Sequence, residues 1–288
     1  MKRAGIVLTV LFATVLSAAA ETTVEPKPFD WYLEHYPFMN MRGKTFTIET
    51  EFTWPEGFHR IDSAQLNEFQ FWVSHLPLWH HQRPVGLRYG AKYQPDEVAR
   101  PVHLPWRTIR FYDYTIPVQL LLEYALYAGK LEDFTWVPIE GDTLQFDRFL
   151  ESKAITYRGR ELRFQEAEKR PRSVEEIDDF MNLCARWTDY ASLEANCAEV
   201  TDGPLLPGDL FIARDSSGND GMVYTVLGTI TNDDGDYLHV VGTGCPESCD
   251  FHIPRFNDRR DNPWVSREDI EALGSAYPIR GCYRMPLP

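Results

Sequence analysis

The chain has 288 residues, 43% of them hydrophobic and 14% aromatic, enough to build a substantial core in one large domain or two small ones. Its formal net charge is −14. That balance argues against nucleic acid and anionic lipid surfaces as partners, because both are met by Lys/Arg patches. It fits a solvated acidic protein, or one with a cationic partner. No internal repeat or low-complexity tract is visible.

Lys2 and Arg3 precede an uncharged run from Ala4 to Leu16, followed by Ser17-Ala18-Ala19-Ala20 and a polar segment opening at Glu21. A basic start, a short apolar run and an A-x-A site form the pattern of a cleaved secretory signal. As a helix the apolar run would span only about 20 Å, short of the roughly 30 Å of a bilayer core. The expectation is a signal peptide over 1–20, cut after Ala20 with no cysteine there to carry a lipid. The product would be periplasmic or secreted, with no membrane span. Loss of Lys2 and Arg3 takes the formal net charge from −14 to −16.

Residues 21–44 are rich in aromatics and Pro without a clear period, and predict an N-terminal arm lying on a single domain over 45–288. Thr45 to Thr53 alternates like a strand. "WPEGFHRI" predicts a turn and a short extended piece. Asp62 or Ser63 can cap a helix with Leu66, Phe69, Trp72, Val73 and Leu76 on its apolar side, stopped by Pro77. "PVGLRYG" predicts a strand, and Thr115 to Ala128 a buried helix with Gly129 as its stop. Pro117 is tolerable there only in the first turn. Phe134–Ile139 and Ala154–Phe164 predict strands, with a short helix within Thr143–Ser152. Ser173 and Glu176 form an S-x-x-E start for a helix whose apolar face is Ile177, Phe180, Met181, Cys184 and Trp187. Leu193–Val200 predicts another short helix. Strands follow at Asp209–Ala213, Gly221–Ile230 and Tyr237–Gly242, with "TNDDGD" as the turn between the last two. "YPIRGCYRM" offers a final strand. Helices first and an antiparallel sheet late imply an α+β fold.

"WPEGFHRI", "FQFWVSHLPL", "EYALYAG", "YASL", "GDLFI", "CPESCDFHI" and "NPW" occur in this order. As an ordered set, over roughly Thr45 to Trp264, they resemble the exported bacterial proteins grouped as domain of unknown function 4846. More loosely, the late strands look like those of papain-like and NlpC-type cell-wall hydrolases. That likeness implies a papain-like core, helices packed on an antiparallel sheet. The family resemblance implies in addition a Cys on the Thr115–Ala128 helix, a "GH" opening a strand and a Gln one strand later. Those residue types suit a thiolate nucleophile, its general base and an orienting group. Here the three places fall on Asp113 or Tyr114, on Met222, and on Gly242. No cysteine precedes Cys184, so that helix cannot carry a Cys nucleophile.

The leading expectation is therefore a non-catalytic envelope protein on a hydrolase-like scaffold. A cleft at Asp113, Tyr114, Met222 and Gly242 would bind a cell-wall peptide or glycan, or an envelope protein, with Asp113 suited to an amine. The alternative is a cysteine-dependent peptidase or amidase with displaced residues, Cys245 or Cys282 as nucleophile and His239 or His252 as base. A purely structural or secretion-accessory role is a third possibility.

In an oxidising compartment Cys245 and Cys249 of "CPESC" are expected to form a disulfide, contributing about 2 kcal/mol by loop entropy. Cys184 either pairs with Cys197 or is a buried thiol on its apolar helix face, and Cys282 is left free. "CPESCDFH" could alternatively offer Cys245, Cys249 and His252 to a metal, but the spacing is unlike the common zinc pairs. His75, His80 and His81 beside Trp79 read as solvated histidines. In "YLHVV", His239 and Val241 share one face while Val240 and Gly242 share the other, so His239 points away from Gly242. Asp215, Asp220, Asp233, Asp234 and Asp236 crowd two loops without EF-hand spacing. Trp31, Tyr32, Trp54, Trp79 and Trp106 could form a glycan-binding surface, though packing explains them more simply. Nothing in the sequence calls for a cofactor or a metal.

Overall fold

The structure is a computed structural model and describes residues 46–79, 84–87, 92–93, 98–103, 112–157, 161–215, 221–245, 248–256, 262–273 and 277–288. The predicted signal peptide and arm, His80, His81, Trp106 and Asp220 lie outside them.

The first element is α1 (Ile48–Glu51), opened by a capping box between Thr47 and Thr50. Alternation predicts a strand here, yet only Phe46 bridges, to Leu78. The two threonines satisfy amide groups within the segment itself, which favours the helical turn over an extended ladder. β1 (Phe58–Arg60) follows. The single helix predicted from Asp62 is two pieces with separate caps. Asp62 caps a 3₁₀ turn at Ser63–Gln65, and Asn67, boxed with Gln70, opens α2 (Glu68–Ser74). Then come β2 (Val85–Gly86), β3 (Lys92–Tyr93) and β4 (Val98–Pro101). α3 (Ile116–Tyr127) has a 3₁₀ turn at Asp113–Thr115 before it and Pro117 in its first turn. Just beyond it Gly129 takes φ +67, as a helix terminator does.

The predicted strand at Phe134–Ile139 shrinks to β5 (Thr135–Trp136), paired with β6 (Leu144–Gln145). α4 (Phe146–Leu150) follows. Instead of one strand over Ala154–Phe164 there are two, β7 (Ser152–Tyr157) and β8 (Glu161–Glu166), paired antiparallel. Ser173 caps α5 (Val174–Arg186) by accepting the Glu176 N–H. The Glu176 side chain meets Arg170 instead. α6 (Tyr190–Asn196), boxed by Asp189 and Ser192, leads into β9 (Ala198–Glu199). The late elements are β10 (Leu210–Arg214), β11 (Gly221–Asn232), β12 (Tyr237–Thr243), β13 (His252–Pro254), α7 (Arg267–Leu273) and β14 (Ile279–Arg284).

The main sheet runs β4-β13-β12-β11-β10-β14-β9, with β1 added to the far end of β11. Its pairings are antiparallel, and most helices precede its late strands β9 to β14, so the fold is α+β. α3 is buried along nearly its whole length, from Ile116 to Ala125, as expected of a helix apolar on all sides. It lies between the sheet and α5 in the larger core. There Phe180 meets Phe134, Phe146 and Phe149 at ring separations of 6.0, 5.3 and 5.4 Å. Removing a ring so enclosed costs about 3–5 kcal/mol. Val223, Leu227 and Val240 face this core, while Phe211, Tyr224, Val226 and Val241 face a second cluster that includes Ile270 of α7. No helix among the described residues is long and apolar enough to cross a membrane.

Candidate functional site

Of the residues that the sequence marks, Asp113 and Tyr114 lie together where the turn before α3 abuts the start of β11. Asp113 begins that turn and is buried, at 1% exposure. The Val223 backbone N–H donates to its Oδ2 at 2.8 Å. The Tyr190 hydroxyl, from α6, lies 3.0 and 3.2 Å from the two carboxyl oxygens. The same hydroxyl lies 2.8 Å from the Gly221 carbonyl oxygen. Behind Asp113 stands Gly244, just past β12. A Cβ there would come within 3.0 Å of the Asp113 Cα and 2.7 Å of Ile116. Only glycine lets the two backbones approach so closely.

Burial pushes the Asp113 carboxyl up from 3.8 to about 6, and the Val223 and Tyr190 hydrogen bonds oppose that shift. Proton counting agrees with this direction. Tyr190 has one O–H but two acceptors in reach, Asp113 and Gly221. A neutral Asp113 can donate to the Tyr190 oxygen while Tyr190 donates to Gly221, and the Val223 N–H keeps its acceptor. An ionised Asp113 takes the Tyr190 proton and leaves the Gly221 carbonyl without it. The site is a short proton-linked chain tying α3, α6 and β11.

Tyr114 sits beside this lock and is half-buried. Its ring lies parallel to Tyr112, at 5.3 Å and 3°, and edge-on to Tyr190 at 5.0 Å. Burial and the neighbouring Tyr112 and Asp113 push its hydroxyl up to about 12, so it is protonated at neutral pH. Among the described residues, these tyrosines form the aromatic patch next to the site. Trp54 is 38% exposed but lines a small cavity with Trp264 and Gly228 instead.

The four residues predicted for one cleft do not open onto one space. Asp113 and Tyr114 are together, but Met222 is turned to the second cluster on the opposite sheet face. Gly242 faces the main core, where a Cβ would sit 2.6 Å from the Phe251 ring and 2.9 Å from Leu227. Its place is filled by packing. Asp113 itself is buried and held by protein donors, so its carboxyl is closed to an incoming amine.

The displaced cysteine chemistry fares no better geometrically. Cys245 and Cys249 form the expected disulfide, so neither sulfur is a thiolate nucleophile or a metal ligand. This removes the metal alternative for Cys245, Cys249 and His252. His252 is buried, its Nδ1 2.9 Å from the Asp250 carbonyl oxygen, which makes that nitrogen a donor and not a base. Burial also lowers its proton affinity. Cys184, Cys197 and Cys282 are free thiols, so the Cys184–Cys197 bridge is not made. Cys184 is buried on α5, and burial pushes its thiol well up. Burial raises Cys282 as well, despite Arg267 nearby.

His239 lies on the second-cluster face with its ring against Phe211, opposite to Gly242 as alternation predicts. Thr229 donates its hydroxyl to the Leu205 carbonyl and accepts from His239 Nδ1. Burial holds His239 down at about 4, so it is neutral near pH 7. Its strand and that of Cys282 are separated by β10 and β11. At about 4.8 Å per strand, that path across the sheet is about 14 Å, beyond hydrogen-bond reach.

His75 is fixed by the Phe71 carbonyl and Ser74, at 2.8 and 2.9 Å. In the late turn, Asn232 and Asp236 satisfy one another. No group of three or more metal-ligating side chains occurs among the described residues. Sequence reasoning missed Tyr190 and Gly244. Tyr190 stands in the quoted "YASL", but its contact with Asp113 spans 77 residues and leaves no local signal.

A family model described as domain of unknown function 4846 matches residues 48–276. No curated protein and no solved structure matches the chain.

Proposed function

Since the chain belongs to the family described as domain of unknown function 4846, which brings no activity with it, we propose that it is a non-catalytic exported binding protein on a papain-like scaffold. Its ligand is a cell-wall peptide or glycan, taken at the tyrosine patch of Tyr112 and Tyr114. The observation that carries this reading is the state of Asp113. With Tyr114 it is one of the two residues on which the resemblance places the expected nucleophile, yet its carboxyl is buried and held by Val223 and Tyr190. A group so held stabilises the joint between helix and strand and is not poised to attack. The papain-like assignment is supported by the placement of that joint, the N-terminal turn of a buried helix against the first residues of a late strand. Export is supported by the sequence pattern over residues 1–20. Flat aromatic faces beside a polar lock suit the apolar face of a sugar or a peptide side chain.

Purified mature protein incubated with cell-wall sacculi tests both halves. The expected result is retention on the sacculi, weakened several-fold by Tyr114→Ala, with no new muropeptides by mass spectrometry. Release of products that disappears in Asp113→Asn would overturn the non-catalytic reading. Retention unchanged in Tyr114→Ala would overturn the assignment of the patch.

A further inference from the structure

A second feature, remote in sequence from the tyrosine patch and independent of its reading, is a groove of about 490 Å³ between the β7–β8 hairpin and α5. That volume is in the range of small-ligand sites, about 300–1,000 Å³. One wall is α5, which presents Asp179, Asn182, Leu183 and Arg186. Their spacing of three, four and seven residues places them on one helical face. Asp179 and Arg186 stand about 10 Å apart along the axis, at 1.5 Å per residue. Neither has an ion-pair or hydrogen-bond partner among the described residues. The groove therefore carries an anion near one end of this wall and a cation near the other, with Leu183 between them.

The opposite wall is the outer edge of β7. Glu151 accepts from the Ala167 N–H, which makes 151 and 167 a hydrogen-bonded pair. By antiparallel alternation Lys153 bonds to Gln165, and the backbone groups of Ser152 and Ala154 point away from β8. The Ser152 carbonyl is taken by Arg170 at 3.2 Å. Ala154 lines the groove, and no strand among the described residues pairs with that edge of β7.

We propose that this groove binds a short zwitterionic peptide as an added strand. The peptide ammonium meets Asp179, its carboxylate meets Arg186, and its backbone pairs with the Ala154 edge. Three extended residues span about 10 Å, which matches the separation of the two charges. Pairing of a peptide to an open strand edge supplies affinity through main-chain bonds, and the two charges set its length and direction.

The test is an amide-resolved NMR titration of the mature protein with trialanine, alongside N-acetylated, C-amidated trialanine. Free trialanine should give saturating shifts at Ala154 and along α5. The capped peptide should bind at least tenfold more weakly, and Arg186→Glu and Asp179→Lys should each abolish saturation while keeping the dispersed spectrum of the folded protein. No saturable shift with trialanine would overturn the proposal. Equal binding of the capped peptide, or binding unchanged in both variants, would overturn it too.

Discussion

Two aspartates in this molecule are equally buried, at 1% exposure, and are held in opposite ways. Asp209, at the turn into β10, receives Arg284 through both carboxyl oxygens, at 2.9 and 2.6 Å. Asp113, at the turn into α3, receives neutral donors, backbone N–H groups led by Val223 and a phenol. Burial raises both carboxyls, and at Asp209 the guanidinium acts against that rise. The difference separates a charge kept by an ion pair from one that the protein can discharge by taking a proton. Asp209 pins the C-terminal strand to the sheet, whereas Asp113 ties three elements through a chain that changes with protonation.

The largest expected loss from a substitution comes from removing the cation. Arg284→Met leaves Asp209 buried without its partner, a change that costs 3–5 kcal/mol when both groups are fully buried. The Arg284 side chain is 40% exposed, so water can reach the vacancy and the expected loss is nearer 2–3 kcal/mol, read from denaturant midpoints at pH 7. The companion substitution Asp209→Asn should be milder than Arg284→Met.

The next effect is a slope rather than a loss. A carboxyl raised from 3.8 to about 6 in the folded state binds its proton more tightly there than in the unfolded chain. Its contribution is fully present below pH 3.8 and is lost as pH rises through 6, about 3 kcal/mol in all at 1.36 kcal/mol per pH unit. In denaturant melts between pH 4 and 7, the stability of Asp113→Asn should rise with pH relative to the wild type by about this amount. His239, lowered from 6.5 to about 4, has the opposite sign: its contribution is present above 6.5 and lost as pH drops through 4. The double variant Asp113→Asn/His239→Gln should therefore be flatter over this range than either single one.

Smaller effects sharpen the same contrast. Reducing the Cys245–Cys249 bond, or replacing both residues with Ser, should cost about 2 kcal/mol, since the closed loop is short. The bond adjoins Gly244, so the loss should be accompanied by shifted amide signals at Asp113 and Val223. Tyr190→Phe removes one donor and should cost about 1–2 kcal/mol, with a further rise in the Asp113 carboxyl. An equivalent probe at Asp209 has no phenol to remove.

Much of this was readable from residue patterns. The α+β order, the buried α3 with its Pro117 start and Gly129 stop, and the opposed faces of His239 and Gly242 all follow from local spacing. So does the disulfide, from the pairing of Cys245 and Cys249 within one short loop. What failed was decided by competition within a segment. Alternation over Thr45–Thr53 lost to a Thr47–Thr50 cap, and the run from Ala154 to Phe164 is two paired strands. The candidate site was legible only in part. Asp113 and Tyr114 come from the family resemblance, whose expected Cys falls on one or the other, and not from a pattern of their own. Tyr190, Gly221 and Gly244 reach Asp113 across long stretches of chain, and no period or motif encodes such contacts. Gly242 enters the predicted cleft only as the counterpart of the Gln that the resemblance expects, and in the structure the Phe251 ring fills the space above it.

The most direct test is the carboxyl titration of Asp113, followed by ¹³C NMR in the wild-type protein with Asp113→Asn to assign the signal. A midpoint near 6, moving further up in Tyr190→Phe, is the result expected of a buried lock held by neutral donors. A midpoint at or below the ordinary 3.8 would contradict it, and would mean that Asp113 is a charged group with a partner or solvent of its own.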